Sequence, residues 1–359
     1  MRVADYIAQT LAAHGITDVF LVTGGGAMHL NDAIGRHAGL HATCCHHEQA
    51  CAMAAESYFR LSGRLAAVNV TSGPGGTNAI TGVYGAFVDS LGMIVISGQV
   101  KWETLVRSTD LPLRQLGDQE LDIIPLVKPI TKYAVMVTKP TEVRYHLERA
   151  LYLATAGRPG PVWVDVPLDI QGAQIDPATL RGYDSEEDRS KLPSSDVGAS
   201  CTEIARRVSQ AVRPVILVGT GMRIADSQPA LLALVARWGI PVVTAWNAHD
   251  LVPDADAHFA GRPGSIGTRA GNFAVQNADL VLVLGCRLNI RQVSYAWQYF
   301  ARAGKLIMVD VDAAELRKPT LRVDLPVHAD LRVFMPVLLE TPYIRNPVHA
   351  AWVTWCRDR

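Results

Sequence analysis

The stretch AAVNVTSGPGGTN, residues 66–78, decides how the first part of this chain folds. Its small and β-branched residues predict a strand over 66–71, and the glycine-rich turn that follows leads into a helix. Glycines in such a turn let the backbone and its amide groups approach a flat ligand closely. The turn lacks the Lys-Ser/Thr pair of a P-loop, which disfavours phosphate binding by that route.

Strands and helices alternate on both sides of this stretch. Further strands are predicted at 19–22, 41–45, 93–97, 133–137 and 162–166. Helical spacing is clear where Val3, Ile7 and Leu11 recur, and again over 48–61. Strands separated by helices predict a doubly wound, parallel α/β domain over residues 1–170.

The rest of the chain predicts a linker and a second α/β domain. Periodicity fails over 171–198, where charged and turn-forming residues predict a linker. The second domain is predicted over 199–340, again with a doubly wound parallel sheet. Its predicted elements are strands at 214–218, 241–244, 280–284 and 305–309 and a helix at 228–238. Trp352 and Trp355 predict a terminal helix within 341–359 that packs on another part of the protein and leads toward a further domain.

Composition limits the classes of function. The chain has 34 Lys and Arg against 34 Asp and Glu, so no basic field favours nucleic acid or an anionic membrane. No apolar run could span a bilayer, and the first residues lack a signal-peptide core, so we expect a cytoplasmic protein. Six cysteines without a Cys-x-x-Cys pair argue against a disulfide framework or zinc ribbon. We predict no metal ligands, because Cys44 to His47 would alternate between the faces of a strand.

Glu48 is the candidate catalytic residue. It lies in HHEQA, residues 46–50, after a strand that is predicted to be buried and at the first turn of a predicted helix. Burial disfavours a charged carboxylate there, whereas the positive end of the helix favours it. Pattern alone therefore leaves two interpretations open: Glu48 caps its helix, or it serves as a buried acid in a site.

Several motifs together resemble one enzyme family. HHEQA at 46–50, TSGPGGTN at 71–78, VDS at 88–90 and GRPGPVWVDVP at 157–167 are similar to stretches of acetolactate synthases, which are thiamine diphosphate enzymes. The resemblance implies that residues 1–170 form the pyrimidine-binding domain, in which Glu48 hydrogen-bonds the aminopyrimidine of the cofactor and activates it. On the thiamine diphosphate side it implies Gly25, Gly26, Thr71, Gly73, Pro74, Asn78 and Gln119.

The resemblance also suggests a substrate loop. GDQE at 117–120 stands where the family has Phe-Gln-Glu, so that Asp118 replaces an aromatic residue near the acceptor. An acid there favours a hydroxylated acceptor, since buried polar groups must be satisfied. Arg114 is a second candidate for substrate contact, because it could meet an anionic substrate, although it could equally be solvated.

For the second domain the resemblance implies a flavin. Gly219-Thr220-Gly221 fails as a dinucleotide fingerprint, because Ile224 stands at the position of the third glycine. Acetolactate synthases hold FAD in this domain in a non-redox role, although many thiamine enzymes keep the domain without flavin. The residues implied for FAD are Gly219, Gly221, Gly267, Thr268, Arg287, Arg291 and Asp310.

Two functions remain open from the sequence. The first is a carboligase that decarboxylates a 2-keto acid such as pyruvate and transfers the two-carbon unit to a 2-keto acid or to a keto sugar nucleotide. Transfer to a 2-keto acid would serve branched-chain amino acid biosynthesis. No GDG motif follows, so magnesium and the diphosphate are expected to need a domain outside these residues, and the chain alone should not turn over. The alternative is a non-catalytic, cofactor- or partner-binding subunit of a split enzyme; a homodimer, a tetramer or a partner chain is expected.

Overall fold

The chain divides into two compact units. The computed structural model describes residues 1–190 and 192–359, and the units are Met1–Ser190 and Lys191–Arg359. Each unit is built on an all-parallel sheet, with helices between successive strands. The predicted fold class, two doubly wound α/β domains, is therefore confirmed.

The first sheet has six strands in the order β2-β1-β3-β4-β6-β5. They are β1 (Asp18–Leu21), β2 (His41–Cys44), β3 (Ala67–Val70), β4 (Met93–Gln99), β5 (Tyr133–Met136) and β6 (Pro161–Pro167). The chain passes from β1 outward to β2 and then back to β3 on the other side of β1. The strand order therefore reverses between β1 and β3, and in open α/β sheets ligands bind at the carboxyl ends of the strands at such a point.

Seven α-helices accompany this sheet. They are α1 (Val3–Ala13), α2 (Met28–Arg36), α3 (Glu48–Ser62), α4 (Pro74–Asp89), α5 (Ile124–Val127), α6 (Val143–Thr155) and α7 (Leu168–Gly172). Helix α3 begins at Glu48 as predicted, and Gly63, with φ 68°, ends it in the left-handed conformation. Pro74 opens α4, where its missing N–H leaves no helical bond unmade.

The two faces of the first sheet bury separate apolar clusters. Helices α1, α2 and α6 cover one face, with Ile7 and Leu11 among the buried residues. Helices α3 and α4 cover the other face, together with the fully buried Trp163 of β6. Helices α3 and α4 thus share one face of the sheet and, as described below, one site.

The second sheet has five strands in the order β11-β10-β9-β7-β8. They are β7 (Pro214–Val218), β8 (Val242–Thr244), β9 (Leu280–Leu284), β10 (Lys305–Asp310) and β11 (Leu325–His328). Four of them were expected from the sequence, and β11 was missed. It is a short edge strand that contains Pro326, a residue that argues against a central strand. Here the strand order reverses between β7 and β9.

The helices of the second unit include the predicted terminal helix. They are α8 (Gly198–Gln210), α9 (Gly221–Ile224), α10 (Gln228–Trp238), α11 (Arg269–Asn277), α12 (Ile290–Val293), α13 (Leu331–Glu340) and α14 (Val348–Arg357). Trp352 of α14 is buried in the core of this unit and donates from Nε1 to the Pro214 carbonyl at 2.9 Å. Trp355 stacks on it, with ring centroids 5.0 Å apart. The helix therefore packs on its own unit; that it leads toward a further domain stays a prediction.

The predicted linker, 171–198, is packed in its first part. Gln171 and Leu180 are buried, and Leu180 belongs to the core of the first unit. Asp188 is buried as well, and its carboxylate accepts a hydrogen bond from Arg149 Nε at 2.9 Å, which compensates for the burial of its charge. The charged run that predicts a linker thus contains an ion pair that fastens it to the first unit.

Among the described helices, none combines the length and the apolar character needed to cross a membrane.

Candidate functional site

Glu48 is buried at the start of α3 and bonded to α4. Its side chain is 9% exposed, and Asn78 Nδ2 donates to its Oε2 at 2.9 Å. The other oxygen, Oε1, accepts no hydrogen bond from the residues that the structure describes and faces Gly75. The helix cap is supplied by His47, whose Nδ1 accepts from the Gln49 amide at 3.1 Å. Of the two interpretations left open by the sequence, the geometry therefore favours the buried acid.

The strand before Glu48 differs from the prediction. Strand β2 is not buried, because it is the edge strand of the first sheet and three of its four residues are exposed. The burial of Glu48 therefore comes from α4 and from the glycine turn that precedes α4.

That glycine turn leaves bare backbone beside the carboxylate. Gly73 has φ 53°, a conformation that favours glycine, and an added Cβ there would collide with the carbonyl of Gln119. At Gly75 an added Cβ would lie 2.8 Å from Thr71 Cγ2 and 3.6 Å from Glu48 Oε1. Any side chain at Gly75 would thus fill the space in front of the carboxylate.

Helices α3 and α4 cross closely behind this turn. A Cβ added at Gly82 would lie only 2.6 Å from the Cβ of Ala52 and 2.9 Å from the amide nitrogen of Met53. The helix backbones can approach this far only because Gly82 has no side chain. The crossing fixes the separation of the two helices that carry Glu48 and Asn78.

A second glycine turn, after β1, is joined to the first through Thr71. The Gly26 amide donates to Thr71 Oγ1 at 3.1 Å, and the Gly26 carbonyl accepts from Gln171 Nε2 at 2.7 Å. Gly25 is exposed, and a Cβ there would meet no atom within 4 Å. The predicted residues Gly25, Gly26 and Thr71 thus lie together at the point where the strand order reverses. Sequence reasoning missed Gln171, which lies in the segment predicted to be a linker.

The GDQE loop closes over the first turn. Gln119 has φ 56°, and its carbonyl lies against Gly73. The buried carboxylate of Glu120 accepts hydrogen bonds from the amides of Leu116 at 2.8 Å and of Gly117 at 3.1 Å. Sequence reasoning assigned no role to Glu120, although a buried acid can organise a loop by accepting several amides.

The two candidate substrate residues lie on this same loop. Asp118 and Arg114 are both exposed and make no hydrogen bond or ion pair with another described residue. The structure thus places Asp118 next to Gln119, which abuts the glycine turn. A role in substrate binding stays a prediction for both residues.

Asp165, a buried acid to which sequence reasoning assigned no role, lies on β6 beside β4. Asp165 of β6 is 0% exposed, and burial raises the pKa of its carboxyl to about 7. Ser97 Oγ donates to its Oδ1 at 2.5 Å, and Gln99 Nε2 donates to its Oδ2 at 3.2 Å. The sequence gives no signal of this pairing, because the sheet register, not chain proximity, brings Ser97 beside Asp165.

The buried cysteine near Glu48 lacks the features of a nucleophile. Cys51, one helical turn after Glu48, is buried, and burial together with the neighbouring Cys45 thiol raises its pKa to about 12. Its thiolate, the reactive form, is therefore scarce at neutral pH. Within the described residues, no three His, Cys, Asp or Glu side chains are placed to hold a metal ion together.

In the second unit, the predicted flavin glycines bring two loops together. The Gly219 amide donates to the Leu284 carbonyl at 3.1 Å, and the Gly221 amide donates to the Gly285 carbonyl at 3.0 Å. A Cβ at Gly221 would lie 2.8 Å from Gly285 Cα. These glycines are thus explained by contact between the loops after β7 and β9, and their contact with a flavin stays a prediction.

Gly267 and Thr268 form the start of α11. Thr268 caps the helix, since its Oγ1 accepts from the Gly271 amide at 3.1 Å and from the Arg262 amide at 3.0 Å. Gly267 packs against the backbone at Pro263, which leaves no room for a side chain. The two residues therefore shape a loop, and their own contact with a ligand stays a prediction.

Unpaired polar atoms and aromatic rings lie at the carboxyl end of this sheet. Thr244 Oγ1, at the end of β8, and Gln292 Oε1 are buried and have no hydrogen-bond partner among the described residues. The exposed Arg291 guanidinium lies 5.8 Å from the centroid of the Trp246 ring. Asp310 is buried at the end of β10, whereas Arg287 is half-buried after β9. Orphaned buried polar atoms beside a cation and an aromatic ring suit a polar, flat ligand.

Two protein families match the two units. Residues 1–125 match the thiamine pyrophosphate enzyme, N-terminal TPP binding domain, and residues 201–338 match the thiamine pyrophosphate enzyme, central domain. The chain is similar to the probable acetolactate synthase large subunit of Methanocaldococcus jannaschii, 34% identical over 346 residues that cover 94% of this chain and 56% of the relative.

Two further relatives give the same result. The acetolactate synthase large subunit of Lactococcus lactis is 32% identical over 96% of this chain and 58% of its own length. The acetolactate synthase isozyme 2 large subunit of Escherichia coli is 33% identical over 94% of this chain and 59% of its own length. The chain therefore spans little more than half the length of these relatives. The chain therefore belongs to the thiamine pyrophosphate enzymes and carries their N-terminal and central domains, each within one compact unit, and the relatives to which it is similar are acetolactate synthase large subunits.

Proposed function

We propose that this chain supplies the pyrimidine-binding and activating part of a thiamine diphosphate-dependent carboligase. The reaction is the decarboxylation of a 2-keto acid such as pyruvate and the transfer of its two-carbon unit to a second carbonyl. Bound thiamine diphosphate supplies the carbanion-stabilising chemistry that side chains lack. Family membership and the arrangement around Glu48 support the proposal.

One observation carries it: the carboxyl group of Glu48 is held by one oxygen and free at the other. Asn78 fixes Oε2 at 2.9 Å, which orients the carboxyl plane and leaves Oε1 directed at the bare turn beside Gly75. A group held there can hydrogen-bond a ring nitrogen and hold or pass a proton at Oε1. Burial of Glu48 and the close packing of Gln119 on Gly73 keep water away from that proton.

The role of Glu48 is tested by binding and by turnover. Glu48→Gln keeps the shape and a hydrogen-bonding oxygen, so thiamine should still bind the chain within a few-fold of the wild-type affinity measured by calorimetry. Pyruvate decarboxylation is measured on protein purified from its native host, so that any partner chain is retained. Glu48→Gln should lose it, and a retained rate above roughly a tenth, a barrier change below ~1.4 kcal/mol, contradicts the role.

The matched control lies on the same helix. Glu56 of α3 pairs with Arg60 rather than with the glycine turn, so Glu56→Gln should leave both thiamine binding and turnover unchanged. If the native-host protein shows no turnover but the chain binds thiamine, the non-catalytic binding subunit becomes the better description.

We further propose that Asp118 selects a polar acceptor, such as a keto sugar nucleotide, over a second 2-keto acid. The support is its exposed position next to Gln119, on the loop that closes over the glycine turn. Asp118→Phe should shift the product ratio toward addition to pyruvate. Asp110→Phe, an exposed change elsewhere on the same loop, serves as the control, and an unchanged product ratio in Asp118→Phe would remove the proposal.

For the second unit we propose a flavin dinucleotide. Thr244 Oγ1 and Gln292 Oε1, both buried without partners, and the exposed Arg291 beside Trp246 support it. The purified chain should then carry flavin absorbance, which Arg291→Ala should diminish. Arg332→Ala is the control, since Arg332 pairs with Asp330. A protein that stays colourless after incubation with FAD would show that this unit binds no flavin.

Magnesium and assembly belong to the same proposal. The relatives extend beyond the matched region, and we propose that an equivalent segment, on the same polypeptide or on a partner chain, binds magnesium and the diphosphate. Mass measurement of the protein from its native host tests this: a homodimer, a tetramer or a complex with a second chain is expected, and a bare monomer of this chain contradicts it.

A further inference from the structure

Asp165 is a buried acid to which the proposed chemistry gives no role. It lies near the carboxyl end of β6, fully buried and opposite Ser97 of β4 in the sheet register. No described side chain makes an ion pair with it. Its two oxygens each accept one hydrogen bond, from Ser97 and from Gln99.

This arrangement suits a charged carboxylate better than a neutral one. A proton on Oδ2 would face the Gln99 amide donor, and a proton on Oδ1 would face the Ser97 hydroxyl hydrogen. The Ser97 oxygen also accepts a hydrogen bond from Trp163 Nε1 at 2.8 Å, so the hydroxyl group lies between Trp163 and Asp165. Both donors therefore bond the charged carboxylate more strongly than the protonated one, whereas burial opposes the charge.

From Asp165 the hydrogen bonds lead to the GDQE loop. Gln99 Nε2 also donates to the Leu121 carbonyl at 2.8 Å, and the Val100 amide donates to Gln99 Oε1 at 3.0 Å. Leu121 follows Glu120, which accepts the amides of Leu116 and Gly117. One side chain, Gln99, thus connects the buried acid to the base of this loop.

A second route reaches the glycine turn. A Cβ placed on Gly76 would lie 3.7 Å from Trp163 Cζ2, and Trp163 is bonded to Ser97. The carbonyl of Gln119 meanwhile rests on Gly73. The group around Asp165 therefore lies next to both parts of the site that lie in front of Glu48.

We propose that Asp165 is a positioning residue that, through Gln99, holds the loop 117–121 against the glycine turn. The loop geometry is independent of any cofactor, whereas an effect on catalysis rests on the proposed function. Because the loop carries Asp118, which we propose to meet the acceptor, loosening it should raise KM for the acceptor more than it lowers kcat.

Because Asp165 is bonded to Gln99, the attachment of the loop 117–121 should depend on pH. Asp122 and Arg107, which lie 3.8 Å apart in the same loop region, are the charged groups acting on Asp165; Asp122 disfavours its charge and Arg107 favours it. From β5 the register partner is the uncharged Met136. Since burial raises the pKa of Asp165 to about 7, the carboxylate that holds Gln99 forms as the pH rises through neutrality.

Hydrogen exchange of the chain tests the proposal without cofactor. Protection factors, corrected for the intrinsic rate, are measured for amides within 104–121 and, as a reference, within β3. In the wild type we expect protection of 104–121 to rise at least about tenfold between about pH 6 and pH 8, as expected for one hydrogen bond to a charged group. Protection that is unchanged over this range refutes the proposal.

Variants separate positioning from general folding. Asp165→Asn should abolish the rise, and Asp176→Asn, which alters a capping acid away from the loop, should keep it. Should Asp165→Asn fail to fold, Gln99→Leu serves instead, because it keeps Asp165 and removes the hydrogen bonds from Gln99 to Asp165 and to the Leu121 carbonyl. This variant should lower the protection of amides within 104–121 but not of those within β3. Loop protection in Gln99→Leu equal to the wild type would overturn the proposal, whatever the outcome of the thiamine experiments.

Discussion

Replacement of Gly73 by alanine should both strain the backbone and displace the loop above it. Gly73 has φ 53°, and a Cβ there would collide with the Gln119 carbonyl. Gly63 is the matched control, because its φ of 68° is also left-handed but a Cβ there meets nothing within 4 Å. The pair therefore separates backbone strain from the steric contact.

The magnitudes follow from these two surroundings. Gly63→Ala should cost roughly 1–2 kcal/mol of stability, the usual cost of a left-handed conformation for an L-residue. Gly73→Ala should cost a similar amount for the backbone, plus roughly 1–3 kcal/mol because the Gln119 backbone must move to admit the new methyl group. We thus expect Gly73→Ala to be the more destabilising by at least about 1 kcal/mol.

The assay must report on the first unit alone, since a chain of two units need not unfold in one step. Hydrogen exchange of the β3 amides gives the free energy of unfolding of that unit. Gly73→Ala should also increase exchange within 117–120, whereas Gly63→Ala should not. Equal stabilities of the two variants, with unchanged exchange in 117–120, would refute the contact between Gly73 and Gln119.

Three further predictions concern polar groups of the first unit. The pKa of Asp165 is about 7 in the folded chain against an ordinary 3.8. The contribution of this group to the free energy of unfolding is therefore fully present below about pH 4 and is lost as the pH rises to 7, by up to roughly 4 kcal/mol. Asp165→Asn should remove this pH dependence from the free energy of unfolding. Burial lowers the pKa of Lys132 to about 8, so its buried charge destabilises the fold below that pH and the free energy of unfolding should rise between about pH 8 and 10; Lys132→Met should remove this rise. Asn78→Ala removes the donor to Glu48 and should weaken thiamine binding by roughly tenfold in calorimetry, whereas an unchanged affinity would show that the carboxyl group needs no such orientation.

The sequence predicts the elements of this fold well because their patterns are local. Runs such as 214–218 and 280–284 are strongly apolar and bounded by turns, and the observed β7 and β9 begin and end at the same residues. Strand β11 was missed because its proline weakens the local signal. The exposure of β2 was also missed, since strand order in the sheet, and not strand composition, decides which strand is at the edge.

The site was only partly predictable for the same reason. Glu48 and the glycine turn belong to short continuous motifs, and the structure brings them together as expected. Gln171 and Asp165 act on residues more than 60 positions away, Gln171 on Gly26 and Asp165 on Ser97. Such pairs depend on sheet register and on the packing of a supposed linker, neither of which leaves a periodic pattern.

The close crossing of α3 and α4 means that residues outside the glycine turn can change the geometry around Glu48. Ala52 and Gly82 lie one helical turn beyond Glu48 and Asn78, outside the glycine turn, yet they set how far apart the two helices lie. A methyl group added at Gly82 would act as a wedge, and it would lengthen the gap between Glu48 and Asn78 at the other end of the crossing. Directed evolution for new substrates should therefore recover changes at these two small interior residues. A library that varies only the residues lining the site would not include them.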